Sequence, residues 1–186
     1  GPGEDVPTRL VEAQYDVNLL GPHRLIRAAL PHMRAAENGT IVNVSSVSGM
    51  LSAPGMGVYS SSKAALESLS DALRVEVADV GVDVALVEPG PVETQFDDRA
   101  QSSLDELERS DVYAPVYGTL EDYDVLGSIT AIPPADVATV ILEAAVSPDP
   151  DPRYTVGPSS RYLALASRLP DRIRDGIFSL VRRIAG

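Results

Sequence analysis

Residues 39–63 read GTIVNVSSVSGMLSAPGMGVYSSSK, and this stretch decides the fold. It begins with a short apolar run rich in β-branched residues, which is typical of a buried strand. A loop rich in glycine, serine and proline follows, and a helical pattern opens at Tyr59 and runs to about Val80. We therefore predict a strand over Thr40 to Ser45, then a loop, then a long helix.

A second apolar run from Val82 to Glu88 predicts another strand, and Gly81 before it is typical of a helix end. The rigid turn PGPVET follows at residues 89–94. A strand, a helix and a strand at this spacing form a right-handed βαβ unit, and ligands of such sheets bind beyond the carboxyl ends of the strands. Ser46 and the turn at 89–94 are therefore expected at one rim of the sheet.

Pro22 interrupts a long helical pattern that runs from Thr8 to about Arg34. Proline lacks an N–H, so the carbonyl four residues back, that of Asn18, loses its helical donor and is free to bind another group. The alternative is a simple kink, and this pair of residues on its own favours the kink.

The length of 186 residues fits one α/β domain with a substantial core, and we predict a single domain over residues 1–186. The expected architecture is a doubly wound parallel sheet in three layers, α/β/α. Residues 95–132 lack a strong periodicity and are interpreted as a substrate lid. We expect a helix from Pro134 to Ala145, a short strand over Arg153 to Val156, and a helical tail over residues 157–186.

The formal net charge of −12 argues against nucleic acid as a partner. From Arg153 to Gly186 seven arginines face two aspartates, so this segment carries +5 and the remainder −17. The sequence has no cysteine, no signal peptide and no apolar run of about 20 residues, so we expect a cytoplasmic protein. The acidic, lysine-poor composition suggests a salt-adapted or GC-rich source, and hence an acidic proteome.

Lys63 is the only lysine in the chain, and it follows Tyr59 by four residues, so both side chains lie on one face of the predicted helix. Together with the Ser46 hydroxyl they predict a proton-transfer site. The Tyr59 phenol has a reference pKa near ~10 and must fall by about three units, roughly 4 kcal/mol, to act near neutral pH. A neighbouring ammonium favours the phenolate, which is the direction required.

Each of these residues also has a purely structural interpretation. Ser46 as a strand-end cap, Tyr59 as a packed aromatic and Lys63 as a solvated cation are the alternatives. His23 and His32 are interpreted as helix-surface residues, and no metal site is predicted. A Gly-x-Ser-x-Gly elbow is absent, which gives a serine hydrolase little support.

Four features in order carry a resemblance to a known family. Asn18 lies in VNLLG, Ser46 precedes Tyr59 by thirteen residues, Lys63 follows Tyr59 by four, and Pro89 lies thirty residues beyond Tyr59. This pattern resembles the short-chain dehydrogenase/reductase family over roughly the first 99 residues. The resemblance implies a Rossmann-like fold and hydride transfer between NAD or NADP and a carbonyl or secondary alcohol.

The resemblance also implies roles for individual residues. The implied catalytic tetrad consists of Asn18, Ser46, Tyr59 and Lys63. Tyr59 acts as general acid/base, Ser46 holds the substrate oxygen, Lys63 bonds the nicotinamide ribose, and the Asn18 carbonyl anchors a water. The implied cofactor-binding residues are Tyr59, Lys63, Pro89, Gly90, Pro91, Val92 and Thr94.

The sequence departs from the family at its start. Nothing in these residues matches the Gly-x-x-x-Gly-x-Gly turn that binds the cofactor pyrophosphate in the family. The resemblance implies that three βα units, about 90 residues, would precede Gly1 in a complete member. We therefore expect a sheet that is incomplete at its N-terminal side, with an open apolar edge along Thr40 to Ser45. Residues 1–186 on their own are expected to fold poorly, to bind the cofactor weakly and to be inactive.

The substrate and the partners are expectations from the same resemblance. The tail and the PGPVETQF segment are similar to those of members that act on steroids, retinoids or other lipophilic alcohols. A homodimer or homotetramer is expected through the two long helices. For the Arg-rich C-terminal helix we favour an oligomer contact or a packed terminal helix over contact with a membrane. The competing functions are a non-catalytic relative of the same fold and an epimerase or dehydratase.

Overall fold

The structure is a computed structural model that describes residues 1–120 and 130–185. The part of the predicted lid at residues 121–129 lies outside the described residues. The helices are α1 (Thr8–Tyr15), α2 (Gly21–Ala36), α3 (Gly57–Glu76), α4 (Phe96–Asp105), α5 (Pro134–Val146), α6 (Ser160–Ala166) and α7 (Asp171–Ala185). The strands are β1 (Gly39–Val44), β2 (Val82–Pro89) and β3 (Arg153–Val156).

The three strands form one parallel sheet in the order β1-β2-β3. Val44 at the end of β1 lies opposite Val87 of β2, and Pro89 at the end of β2 lies opposite Val156 of β3. The strands predicted from the sequence are confirmed, each within one residue at either end. Because all three strands run the same way, their carboxyl ends form one common rim.

Apolar residues cover both faces of the sheet, as the alternation of side chains along a strand requires. On one face α2 and α3 pack against β1 and β2; the buried members of this core are Ile26, Ile41, Leu73, Val77, Val82 and Val84. On the other face α5 packs over β2 and β3; the buried members there are Val87, Val137 and Val156. The doubly wound, Rossmann-like arrangement is therefore confirmed for the described residues.

The long first helix is divided by a π-helical turn over Asp16–Leu20, with α1 before it and α2 after it. The sequence predicted one helix with an interruption at Pro22; the irregular turn lies just before the proline. Gly21 N–H donates to the Asp16 carbonyl, five residues back, and Pro22 has no N–H to offer the Asn18 carbonyl. A turn of this kind places Asn18 at a point where the helix is locally widened.

The helix α3 ends at Glu76, four residues before the predicted end, and a 3₁₀ turn over Ala78–Val80 continues it. Gly81 then takes a left-handed conformation with φ of 72°. A Cβ at this position would lie 2.4 Å from the Glu37 carbonyl oxygen, so glycine is required both by conformation and by space.

Strand β1 lies at one edge of the sheet, where β2 is its only partner among the described residues. Beside it is an open groove of about 400 Å³ that is largely apolar and is lined by α2, β1 and Asn18. Val44 is 39% exposed at the end of this edge. The predicted open apolar edge is thus present in the described part of the chain.

The described part of residues 95–132 is more helical than the weak periodicity predicted. After α4, a 3₁₀ turn forms at Asp111–Tyr113, and residues 114–120 are helical. The reason lies far away in sequence: the Tyr117 hydroxyl donates to Asp5 at 2.7 Å, and so does the Ser110 hydroxyl. These bonds fix the segment against the start of the chain.

The predicted helical tail forms two helices, α6 and α7, and Pro170 lies between them. Ile173, Ile177 and Leu180 each remain about half exposed on one side of α7. Within residues 1–120 and 130–185, no helix combines the length and the apolar character needed to cross a membrane.

Candidate active site

Ser46 lies at the rim of the sheet, two residues beyond the end of β1. Its hydroxyl accepts a hydrogen bond from the Ser48 N–H at 3.2 Å and so caps a 3₁₀ turn. The same hydroxyl lies 3.5 Å from the Pro89 carbonyl at the end of β2, a long contact at the limit of hydrogen bonding. The capping role and a role at the rim are therefore both open to this side chain.

Tyr59 and Lys63 occupy successive turns near the start of α3 and face the same rim. The Lys63 ammonium lies 5.8 Å from the centre of the Tyr59 ring. It donates to the carbonyl of Val44, the last residue of β1, at 3.0 Å. An ammonium has three N–H donors, and this bond occupies one of them. Lys63 is therefore half-buried and directed at the sheet rather than outward as a solvated surface cation.

The pKa of the Tyr59 phenol is raised above its ordinary value by burial, and the Ser46 hydroxyl opposes this by lowering it. This is the reverse of the direction that proton transfer near neutral pH needs. The expectation that Lys63 alone would favour the phenolate is not met, because the ammonium lies over the ring face and is bound to a backbone carbonyl. Burial also lowers the pKa of Lys63, while Glu67 raises it.

Asn18 contacts the active-site helix through its side chain. Its Nδ2 donates to the Ser62 hydroxyl at 3.0 Å, and that hydroxyl donates to the Tyr59 carbonyl at 2.7 Å. Ser62 is fully buried. The π-helical turn is thus tied to α3 one residue before Lys63. Asn18, whose carbonyl receives no N–H from Pro22, is one of the residues that line the groove beside Val44.

The turn at residues 89–94 follows β2 directly into the rim. Gly90 N–H donates to the Val156 carbonyl at 3.0 Å, which holds the start of the turn against β3. Farther on, Val92 forms a parallel bridge with Ile132 that uses the Pro91 carbonyl and the Glu93 amide. The backbone groups of Val92 itself are not used by that bridge.

Thr94 lies farther out than the other predicted residues. Its side chain is exposed, and its hydroxyl accepts a hydrogen bond from the Phe96 N–H at 3.2 Å. Phe96 in turn packs against Tyr59, with ring centres 5.2 Å apart. The structure therefore brings Ser46, Tyr59, Lys63 and Pro89 together, joins Asn18 through Ser62, and places Thr94 at the margin.

Sequence reasoning missed Ser62 and Phe96. Ser62 lies inside the motif YSSSK, and its signal was its place immediately before Lys63 on the predicted inner face of a helix. Phe96 has no signal in the sequence, since its contact with Tyr59 depends on how the turn at 89–94 folds back.

Among the described residues, no group of three or more histidine, cysteine, aspartate or glutamate side chains is arranged to hold a metal ion. The rim offers hydroxyls, an ammonium and backbone groups, which suit the hydroxyls and the carboxamide of an organic cofactor. The Lys63 donors that do not bind the Val44 carbonyl fit such a group, and so do the Val92 backbone groups that lie outside the bridge to Ile132.

Known proteins match this chain along most of its length. The sequence profile described as short chain dehydrogenase matches residues 1–105. An uncharacterized oxidoreductase of Escherichia coli strain K12, YbbO, is 36% identical over 178 residues, which are 95% of this chain and 62% of that protein. Human 17-beta-hydroxysteroid dehydrogenase type 1 is 34% identical over 168 residues, which are 89% of this chain and 51% of that protein.

A solved structure also matches. A short-chain dehydrogenase from Streptomyces avermitilis superimposes with a TM-score of 0.76 and 29% identity, over 96% of this chain and 63% of that one. The chain therefore spans less than two thirds of the length of these relatives.

Proposed function

Because the chain belongs to the short-chain dehydrogenase/reductase family, we propose that it is the catalytic part of an oxidoreductase that uses NAD or NADP. The proposed reaction transfers a hydride between the nicotinamide and the carbon of a carbonyl or secondary alcohol. The observation that carries the proposal is the meeting of a phenol, a hydroxyl and the only lysine at one rim of the sheet.

Tyr59 is proposed as the general acid/base. In the reducing direction its phenol gives a proton to the substrate oxygen, and in the oxidising direction its phenolate removes one from the alcohol. Ser46 donates to the same oxygen and stabilises the negative charge that develops there. Burial raises the pKa of Tyr59 more than Ser46 lowers it, so the phenol is protonated at neutral pH, which is the form from which the reducing direction starts.

Lys63 is proposed to hold the nicotinamide ribose with the donors that Val44 does not occupy. When bound, the dinucleotide supplies the hydride acceptor or donor. The turn formed by Pro89, Gly90, Pro91, Val92 and Thr94 is proposed to hold the nicotinamide end. The backbone of Val92 suits the carboxamide, since the bridge to Ile132 leaves it unused.

Asn18 is proposed to position Lys63 and a water from the other side. Its side chain donates a hydrogen bond to Ser62, and Asn18 lines the groove beside Val44. A water bound there would lie on the route between bulk solvent and the Lys63 ammonium. This assigns the π-helical turn a function that a simple kink would not have.

We propose a lipophilic substrate, with residues 95–132 as the lid over it and residues 157–186 as a helical tail beside it. Phe96 at the start of this segment already packs on Tyr59, so an apolar wall stands next to the reacting oxygen. The human relative is named for a hydroxysteroid. A steroid or another apolar secondary alcohol is therefore the first substrate class to test.

A homodimer or homotetramer is proposed through the outer faces of the two long helices. Val17, Leu25 and Val75 are each more than two thirds exposed there. Such large apolar side chains on neighbouring helices are typical of an interface between subunits.

The test replaces Tyr59 by phenylalanine in the full-length natural protein. Tyr59→Phe removes the proton donor but keeps the ring that packs on Phe96. We expect kcat/KM for ketosteroid reduction to fall about 10²–10⁴-fold, since that is the usual contribution of general acid catalysis. Binding of NADH and NADPH, measured by quenching of protein fluorescence, should not change.

Tyr154→Phe is the matched control, because the Tyr154 hydroxyl accepts a hydrogen bond from the Asp151 N–H at 2.9 Å, just before the start of β3 and therefore at the end of the sheet opposite the rim. It should leave activity unchanged. The competing function, a non-catalytic relative that only binds the cofactor, predicts no turnover in the parent protein with any carbonyl or alcohol. Full activity in Tyr59→Phe would refute the proposed role of Tyr59.

A further inference from the structure

A buried carboxylate lies one helical turn beyond Lys63. Glu67 is only 7% exposed, and it is the residue four positions after Lys63 on α3. Its Oε1 accepts a hydrogen bond from the Ser45 hydroxyl at 2.8 Å. Ser45 directly precedes Ser46, so Glu67 is bonded to the residue next to the proposed active-site serine.

The other oxygen of Glu67 contacts β3. Arg153 Nη1 lies 3.2 Å from Glu67 Oε2 and also pairs with Glu88 of β2. Its Nη2 lies 2.6 Å from Asp71, one turn farther along α3. We call Arg153, Glu67, Glu88 and Asp71 the Arg153 cluster. The Arg153 cluster joins three elements below the rim, namely α3, β2 and β3.

The loop after Ser46 is fitted closely around the same carboxylate. A Cβ at Gly49 would lie 2.3 Å from Glu67 Oε1 and 3.2 Å from the Ser45 hydroxyl. A larger residue would push one of the two away. The backbone that carries Ser46 is therefore packed onto Glu67 and not merely near it.

The charges around Glu67 balance when Lys63 is included. The carboxylates of Glu67, Glu88 and Asp71 face the guanidiniums of Arg153 and Arg74, and Arg74 Nη1 lies 2.9 Å from Asp71. One negative charge remains over, and Lys63 is the nearest cation on the same helix. Lys63 itself faces Glu67 and Tyr59 from α3 and the Val44 carbonyl from β1.

We propose that Glu67 is a positioning residue of the active site, which fixes the end of β1 through Ser45 and keeps Lys63 charged at a half-buried position. The proposal rests on the proposed function, since Lys63 has a task at the rim only there. The direction of the Lys63 pKa agrees: burial lowers it and the Glu67 carboxylate raises it. Without that carboxylate, burial would act on Lys63 unopposed.

The test measures the ionisation of Lys63 directly. Lys63 is the single lysine between Arg34 and Arg74, so cleavage at arginine isolates it in one peptide, and competitive acetylation over a range of pH gives its titration midpoint. In Glu67→Gln of the full-length natural protein the midpoint should move to lower pH. Below the midpoint, Lys63 should react about three- to tenfold faster after correction for access, since one pKa unit is a tenfold change in free amine.

Glu76→Gln is the matched control, because Glu76 is exposed at the end of the same helix. It should leave the midpoint unchanged. If Glu67→Gln does not fold, Arg153→Gln gives the opposite test, since it removes the cation that lies 3.2 Å from Glu67 Oε2 and should raise the midpoint. An unchanged midpoint in Glu67→Gln, or an unchanged or lowered one in Arg153→Gln, overturns the proposal.

The measurement needs neither substrate nor cofactor, so it is independent of the proposed reaction. A shifted midpoint with full activity in Tyr59→Phe would refute the reaction and keep the link between Glu67 and Lys63. An unshifted midpoint with a dead Tyr59→Phe would refute the link and keep the reaction. As a second readout, Glu67→Asp should recover activity relative to Glu67→Gln because it restores the charge.

Discussion

Two polar clusters meet around helix α3, and they differ in how completely their charges are paired. In the Arg153 cluster a single guanidinium contacts three carboxylates, and Arg74 pairs with one of them. At the rim, Tyr59 is buried with only the Ser46 hydroxyl to favour its ionised form. Pairing stabilises buried charges in their ionised form. A buried titratable group without a charged partner instead has a shifted pKa, and a bound ligand is able to change that pKa.

Breaking the Arg153 cluster should have the largest effect on stability. Arg153→Met leaves Glu88, which is 1% exposed, without its cation. Burial raises the pKa of Glu88 while Arg153 lowers it, so the variant pays the cost of a buried carboxyl with no partner. We expect a loss of about 3–5 kcal/mol in the free energy of unfolding, measured by urea denaturation of the full-length protein.

Arg161→Met is the control for this variant, since Arg161 is exposed on α6. A loss of stability in Arg153→Met no greater than in Arg161→Met would show that the Arg153 cluster is not tightly paired.

At the rim, we expect the pH dependence of the reaction to change with the bound cofactor, because the pKa of Tyr59 is sensitive to nearby charge. Burial puts the Tyr59 pKa above its ordinary value of 10.0 in the free protein. A positively charged nicotinamide favours the phenolate, so bound NAD or NADP in oxidised form should lower that pKa. Alcohol oxidation should therefore rise with pH, by up to about tenfold per unit below the midpoint, and ketone reduction should fall above it.

The Tyr59 ionisation is measured as the difference between the ultraviolet titrations of the parent and Tyr59→Phe, with and without cofactor. The same midpoint in both states would mean that the unpaired phenol is not sensitive to charge, and the contrast between the two clusters would fail.

An exposed ion pair should give the smallest loss in the free energy of unfolding. Arg109 and Asp105 pair at 3.1 Å on the surface, with side chains 37% and 66% exposed. Solvent screens such pairs, so Asp105→Asn should cost no more than about 0.5 kcal/mol in the free energy of unfolding. A cost comparable to that of Arg153→Met would remove burial as the explanation for the difference.

The strand–helix–strand unit and the rim could be predicted because their signals are local. Apolar β-branched runs define β1 and β2, and Gly81 ends the helical region between them. Tyr59 and Lys63 are neighbours by helical spacing alone. The largest difference in length there is the end of α3 at Glu76, where the helix tightens into a 3₁₀ turn; α3 also begins two residues earlier than predicted, at Gly57.

The Arg153 cluster could not be predicted, because its members come together only once the sheet forms. Arg153 lies opposite Leu86 in the register of β2 and β3, and 86 residues separate it from Glu67. The helical character of the described part of residues 95–132 was missed for a similar reason. Its bonds to Asp5 span more than a hundred residues, and no local pattern reports them.

The direction of the Tyr59 pKa was also beyond the sequence. Spacing places an ammonium near the phenol, but it does not say whether the charge lies beside the oxygen or over the ring. Here it lies over the ring, 5.8 Å from its centre. Desolvation then decides the sign.

The π-helical turn over Asp16–Leu20 has a consequence for how sequence length is tolerated here. A turn closed five residues apart holds one residue more than a regular turn, so side chains before and after it differ in phase by about 100°. Loss of one residue from this turn would restore a regular repeat and swing the preceding helix by that angle about its own axis. Homologous sequences aligned through this point should therefore show substitutions rather than gaps.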